Sequence, residues 1–135
     1  MSRRTAREVA MKLAFANLFG CEDTYEAVLE KSGIDEKPGE QDVRFAEELL
    51  DGIKLNADEI DAKIEELAID WTVERMPRVD LSILRVAIYE ICYRQEIPSS
   101  VSINEAVELA KQFGGENSAP FINGLLGALV RRMES

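Results

Sequence analysis

The chain has 135 residues, two cysteines, no histidine and a formal net charge of −10, with 46% hydrophobic and 31% charged residues. That length and balance fit one folded domain over residues 1–135 and exclude a disordered chain. The missing histidine removes the commonest general base and metal ligand, and no apolar run reaches the ~20 residues that span a bilayer.

The first predicted helix runs from about Ala6 to Leu18 or Phe19 and ends near Gly20, with Thr5 and Glu8 of "TARE" forming a capping box. It carries two apolar stripes: Val9, Leu13 and Ala16 on one face, and Met11, Phe15 and Leu18 nearly opposite. A helix apolar on two sides is either sandwiched in the core or keeps one side for a partner. "TYEAVLEK" fits a short second helix, and "SGIDEKPGE" reads as a loop. Val43, Ala46, Leu50 and Ile53 mark a third helix; Ile60, Ile64 and Leu67 mark a fourth, capped by Asn56, with Trp71 just beyond it.

"RMPRVDLSILRVAIYEICYRQE" is apolar on nearly all sides and too short for a membrane span, so it is expected to be a central helix covered by its neighbours. "SINE" has a second capping-box form, Ser102 with Glu105, opening a helix that stops at Gly114 and Gly115. The last helix follows in "NSAPFINGLLGALVRRM", capped by Asn117 or Ser118, with Pro120 in its first turn and Arg131 and Arg132 at its C-terminal end. Gly124 and Gly127 cost ~1 kcal/mol each against alanine in a helix interior, which suggests close helix packing there. The expected fold is all-α, a single compact bundle of about six or seven helices.

Charge is unevenly spread. Residues 1–21 carry net +3, residues 22–74 net −13, and residues 75–135 net 0. Arg3, Arg4 and Arg7 form the basic start, and arginine forks suit phosphate. Cations at a helix N-terminus oppose the macrodipole, so helix stability does not explain them; a phosphate contact and a solubilising tail are equally weighted on these residues alone. The start of the last helix offers free N–H groups to an anion. Phe121 beside it is either core or, if exposed, a platform for a base.

Enzymatic readings fare poorly. No "HExxH", "GxSxG" or P-loop string occurs, and "FGGENS" reads as a helix end, a turn and a helix start. Cys21 and Cys92 have no metal-like spacing and are read as reduced, packed thiols. The first apolar stretch is short and carries Lys12, unlike a signal peptide. No catalytic residue, cofactor or metal is expected, and the expected location is cytoplasmic.

"SRRTARE", "VDLSILRVAIYEI" and "IPSSVSINEAVELAKQFGGENSAPFINGLLGALVR" together closely resemble the NusB family of bacterial transcription antitermination factors. The resemblance runs from the first helix to the last and is most specific over residues 75–131. It implies an all-helical protein that binds the boxA element of ribosomal RNA leader transcripts with the small-subunit ribosomal protein NusE, alongside NusA, NusG and RNA polymerase. By resemblance, RNA contacts fall on Arg3, Arg4, Arg7, Lys111, Gln112, Asn117 and Phe121, which moves Phe121 from core to stacking platform. Phe15 and Asp80 match the partner-binding positions. Monomer and homodimer both stay open. Two other readings compete: a protein-binding adaptor with incidental arginines, and the RNA-substrate module of an rRNA cytosine methyltransferase, although the sequence ends at Ser135 with no catalytic domain.

Overall fold

The computed structural model describes residues 3–37, 39–69 and 71–134; Pro38, in the predicted loop, lies outside them. Seven α-helices are found among these residues: α1 (Arg3–Leu18), α2 (Tyr25–Lys31), α3 (Glu40–Leu55), α4 (Ala57–Leu67), α5 (Arg78–Tyr93), α6 (Ser99–Phe113) and α7 (Ser118–Glu134). A single 3-10 turn, Val73–Arg75, lies between α4 and α5. No strand occurs among the described residues.

The arrangement is organised by α5. Its apolar sequence buries eleven of its residues, and it packs against α1, α3, α4, α6 and α7. Leu81, Leu84 and Ile88 are fully enclosed, and each such side chain contributes about 1.5–3 kcal/mol by leaving water. α1 packs on α2 and α3, and α6 packs on α7. One continuous core joins residues of all seven helices. One contact between α3 and α5 requires a glycine: a Cβ on Gly52 would stand 2.0 Å from Cε1 of Tyr89, so only glycine lets the Tyr89 ring lie there.

Three expected caps are not formed as predicted. α1 already includes Arg3, which places Thr5 inside the helix, where it is buried and donates from Oγ1 to Glu36 Oε2 at 3.1 Å. α6 starts at Ser99 behind Pro98, whose φ of −58° already suits a helix entry, so Ser102 lies within the helix. Asn56 does stand at the N-cap of α4, its carbonyl accepting from Ile60 N–H at 2.9 Å, but its side chain makes no cap there and turns back to α3, donating from Nδ2 to the Gly52 carbonyl at 2.8 Å. In the first two cases a tertiary partner takes the hydroxyl that local pattern assigns to a cap. The predicted packing role of the α7 glycines is also not met: nothing lies within 4 Å of a Cβ built on Gly124, and only the Arg131 side chain, at 3.3 Å, approaches one on Gly127.

These surroundings give opposite expectations for one substitution. Gly52→Ala should destabilise by about 1–3 kcal/mol through overpacking against Tyr89, whereas Gly124→Ala should stabilise by about 0.4–1 kcal/mol. Urea midpoints of the two variants check both.

Candidate RNA interface

The basic start of α1 faces acids brought from other helices. Arg7 is 5% exposed and donates through Nε and Nη2 to both carboxylate oxygens of Glu90, at 2.8–3.1 Å; Glu90 is 1% exposed. Ser102 Oγ is a second donor residue, to Glu90 Oε1 at 3.1 Å. Arg7 Nη1 also lies 3.6 Å from Glu105. Arg4 is exposed, forks onto Glu105 at 2.8–3.2 Å, and has its pKa raised by that hydrogen bond. The Arg3 guanidinium lies 4.1 Å from the centre of the buried Phe45 ring, a cation–π distance.

Arg4, Arg7, Lys111 and Gln112, expected to act together, do converge. They line one cleft of about 270 Å³ between α1 and α6 with Glu8, Glu105, Glu108 and Leu109. Three cations and three acids share this cleft, so it is close to neutral instead of strongly basic. Lys111 stands 3.6 Å from Glu108. Arg7 differs from the other predicted contacts: its Nε and Nη2 are committed to Glu90 in the interior, so it shapes the cleft wall and offers little to an incoming phosphate. Sequence reasoning passed over Glu90, although one acid within the apolar run "AIYEIC" signals a buried pair.

Asn117 and Phe121 fall on a second, larger cavity of about 450 Å³ that they share with Trp71, Met76, Pro77, Asp80, Gly115, Glu116 and Ser118. Phe121 is half-buried: it packs against the core and also lines this space. The α6–α7 connection that borders the cavity is tightly built. A Cβ on Gly114 would come within 2.6 Å of Ser118 Cβ and 2.8 Å of the Ala110 carbonyl. Gly115 N–H donates to Ser118 Oγ at 3.0 Å, and Ser118 in turn donates to Asp80 Oδ1 at 2.7 Å.

Asp80, expected at a protein partner, is 4% exposed and holds the start of α7 instead. Burial pushes its carboxyl above the usual aspartate range, partly offset by the Ser118 hydrogen bond. Phe15, assigned to the same partner surface, is half-buried near the end of α1, its ring 5.1 Å from that of Phe19, which is 60% exposed. The second apolar stripe of α1 is thus core at Met11 and half-buried at Phe15 and Leu18, and the exposed Phe19 and Cys21 follow it, so that of the two thiols expected to be packed Cys92 is half-buried and Cys21 is not packed.

Such an architecture, a helical bundle with two open clefts joined by one interhelical connection, is that of a helical binding protein. The chain belongs to the NusB family, whose model matches residues 4–131. It is 44% identical over 131 positions to the transcription antitermination protein NusB of Acetivibrio thermocellus, covering 97% of this chain and 90% of the relative. The structure of T. maritima NusB superposes with a TM-score of 0.83 at 34% identity, covering 97% of this chain and 92% of that one. A chain in the crystal structure of the antitermination factors NusB and NusE in complex with dsRNA shares the fold, with a TM-score of 0.78 at 24% identity over 96% of each chain. The family is one of transcription antitermination proteins, not of enzymes. No helix among the described residues is long and apolar enough to cross a membrane.

Removing one partner of a buried ion pair leaves the other charge uncompensated. Arg7→Ala should therefore cost about 3–5 kcal/mol of stability, while the exposed Arg4→Ala leaves the melting temperature nearly unchanged. Arg7→Met combined with Glu90→Leu should recover most of the loss, as read by urea denaturation.

The raised pKa of Asp80 makes its ionised form less favourable in the folded chain than in the unfolded one. Its contribution is fully present below the unfolded pKa near 3.8 and is lost as pH rises through the higher folded value. Asp80→Asn should accordingly raise the melting temperature near neutral pH, with the advantage vanishing toward pH 3.8 in a pH series of thermal melts.

Proposed function

We propose that this chain is an antitermination factor that binds boxA RNA of ribosomal RNA leader transcripts together with NusE, in a cytoplasmic complex with NusA, NusG and RNA polymerase. The supporting observation is the convergence of the candidate RNA residues on the α6–α7 connection. Lys111 and Gln112 end the α1–α6 cleft, and Asn117 and Phe121 begin the aromatic cavity, within eleven residues of one another. A single strand following this connection meets Arg4 and Lys111 with its phosphates and Phe121 with a base.

The acidic partners give the site its character. A phosphate must draw Arg4 from Glu105 and Lys111 from Glu108, so NusE, by adding positive surface beside the cleft, strengthens RNA binding. Arg7 acts as a positioning residue through Glu90. The NusE contact is assigned to Phe15 with Phe19, a ring pair near the open end of α1; Asp80 supports the RNA side from beneath.

Titration of a boxA-containing RNA with and without NusE tests this reading. Replacing Arg3, Arg4 and Lys111 with alanine should weaken binding with little change in fold and remove a log–log salt slope of about −2 if three single-strand phosphates are contacted. Unchanged affinity and slope would refute the role of these residues. Phe121→Ala should weaken binding roughly five- to 150-fold, with tryptophan tolerated and leucine not. A fully binding, stable Phe121→Leu protein would refute stacking.

Phe15→Ala should lower NusE affinity while leaving thermal stability nearly unaltered, because its ring is only half-buried. Calorimetric titration with NusE and a melt of the same variant check the two quantities.

A further inference from the structure

The larger cavity is built unlike a phosphate site. Its charged lining groups, Asp80 and Glu116, are both acids, and it has no cation on its wall. Trp71, the only tryptophan of the chain, is 47% exposed and lines the same space as the Phe121 ring. Asp80 uses Oδ1 for Ser118, while Oδ2 has no hydrogen-bond partner among the described residues and is not a sealed, unsatisfied atom. The cavity therefore offers two aromatic rings, an apolar floor at Met76 and one buried carboxylate acceptor, Asp80 Oδ2, with the exposed Glu116 at its edge, in a volume typical of small-ligand sites.

We infer that this cavity is a slot for one splayed-out nucleobase carrying an exocyclic amine, with Trp71 as a second stacking residue and Asp80 Oδ2 as the acceptor that selects it. The inference rests on the RNA-binding reading above and deepens it. Acidic walls repel the backbone, so the phosphates stay at the α1–α6 cleft and only the neutral base enters. Ring faces stack any base, and the buried Asp80 acceptor, fixed in place by Ser118, then discriminates. The amine of cytosine or adenine donates to Oδ2 from the corner of the base, where uracil has the O4 carbonyl oxygen; the N3–H donor of uracil is flanked by two carbonyl oxygens that a carboxylate repels. A basic protein segment is the competing occupant, disfavoured because the cavity wall includes Gly115 and Asn117 of the α6–α7 connection, which leads straight back to Lys111 and Gln112 in the last turn of α6 on the phosphate cleft.

The single tryptophan makes the test direct. A boxA-containing RNA is titrated into the full-length protein, with and without NusE, while RNA anisotropy and tryptophan emission are followed together. Trp71 emission should be quenched in step with binding, and Trp71→Leu should bind at least fivefold more weakly while Trp71→Phe retains affinity. At one RNA position, exchanging cytosine or adenine for uracil should lower wild-type affinity on the order of tenfold. Asp80→Asn should reverse that preference, because Ser118 still donates to the amide oxygen and leaves Nδ2 facing the cavity as a donor. RNA binding without quenching, or with Trp71→Leu and wild type equal, overturns the slot and leaves the RNA-binding reading standing. Absence of RNA binding by the wild type under both conditions overturns both readings. Quenching by NusE alone, with RNA adding nothing, assigns the cavity to protein and overturns the slot.

Discussion

The burial of Glu90 is the constraint on which the arrangement of the candidate site depends. A carboxylate at the centre of the most apolar helix is tolerable only when its oxygens are satisfied by donors. Arg7 supplies them from α1 and Ser102 from α6. Three helices are thereby held in register by one charged group. With Arg7 turned inward, Arg4, one turn earlier, stands on the outer rim of the α1–α6 cleft and meets Glu105. The same rotation of α1 brings Phe15 and Phe19 to the open end of the helix.

The charge pattern acquires a different meaning once folded. In sequence, a basic end precedes an acidic body. In the structure, Glu90, Glu105 and Glu108 from α5 and α6 surround those cations, and Lys12 is taken by Glu8 at 2.8 Å and Ser32 at 2.7 Å. A site so balanced attracts polyanions weakly at long range, since the acidic middle of the chain dominates the far field. Binding through it is conditional: it requires exchange of short ion pairs at the surface, and it benefits from any partner that adds positive potential nearby.

Gly114 and the Ser118–Asp80 hydrogen bond make the α6–α7 connection a rigid corner between two unlike surfaces. On one side lies a polar cleft with paired cations; on the other, an apolar cavity with two aromatic rings. Backbone and base of a single strand have those same two chemistries, a few ångströms apart. Asp80 is buried at the cost of a raised pKa because it holds this corner in place from α5, the helix that also carries Glu90.

Helix content, the covered central helix and the start of the last helix at Ser118 were all legible in the sequence, because apolar periodicity and glycine breaks are local properties of the chain. Resemblance, most specific over residues 75–131, brought the family and the set Lys111, Gln112, Asn117 and Phe121; their division between two cavities is a property of the fold. Local pattern could not choose partners for Thr5, Ser102, Arg7 and Asp80. Each of these side chains has a plausible local role as cap, free cation or surface acid. Each is instead claimed by a group distant in sequence: Glu36, Glu90 and Ser118. Nor could it place Trp71 beside Phe121, fifty residues away. Hydrogen bonds to the buried carboxylates of Glu90 and Asp80 are stronger than solvent-exposed caps, so where Arg7, Ser102 and Ser118 donate is settled only when packing decides which acids are shut away from water.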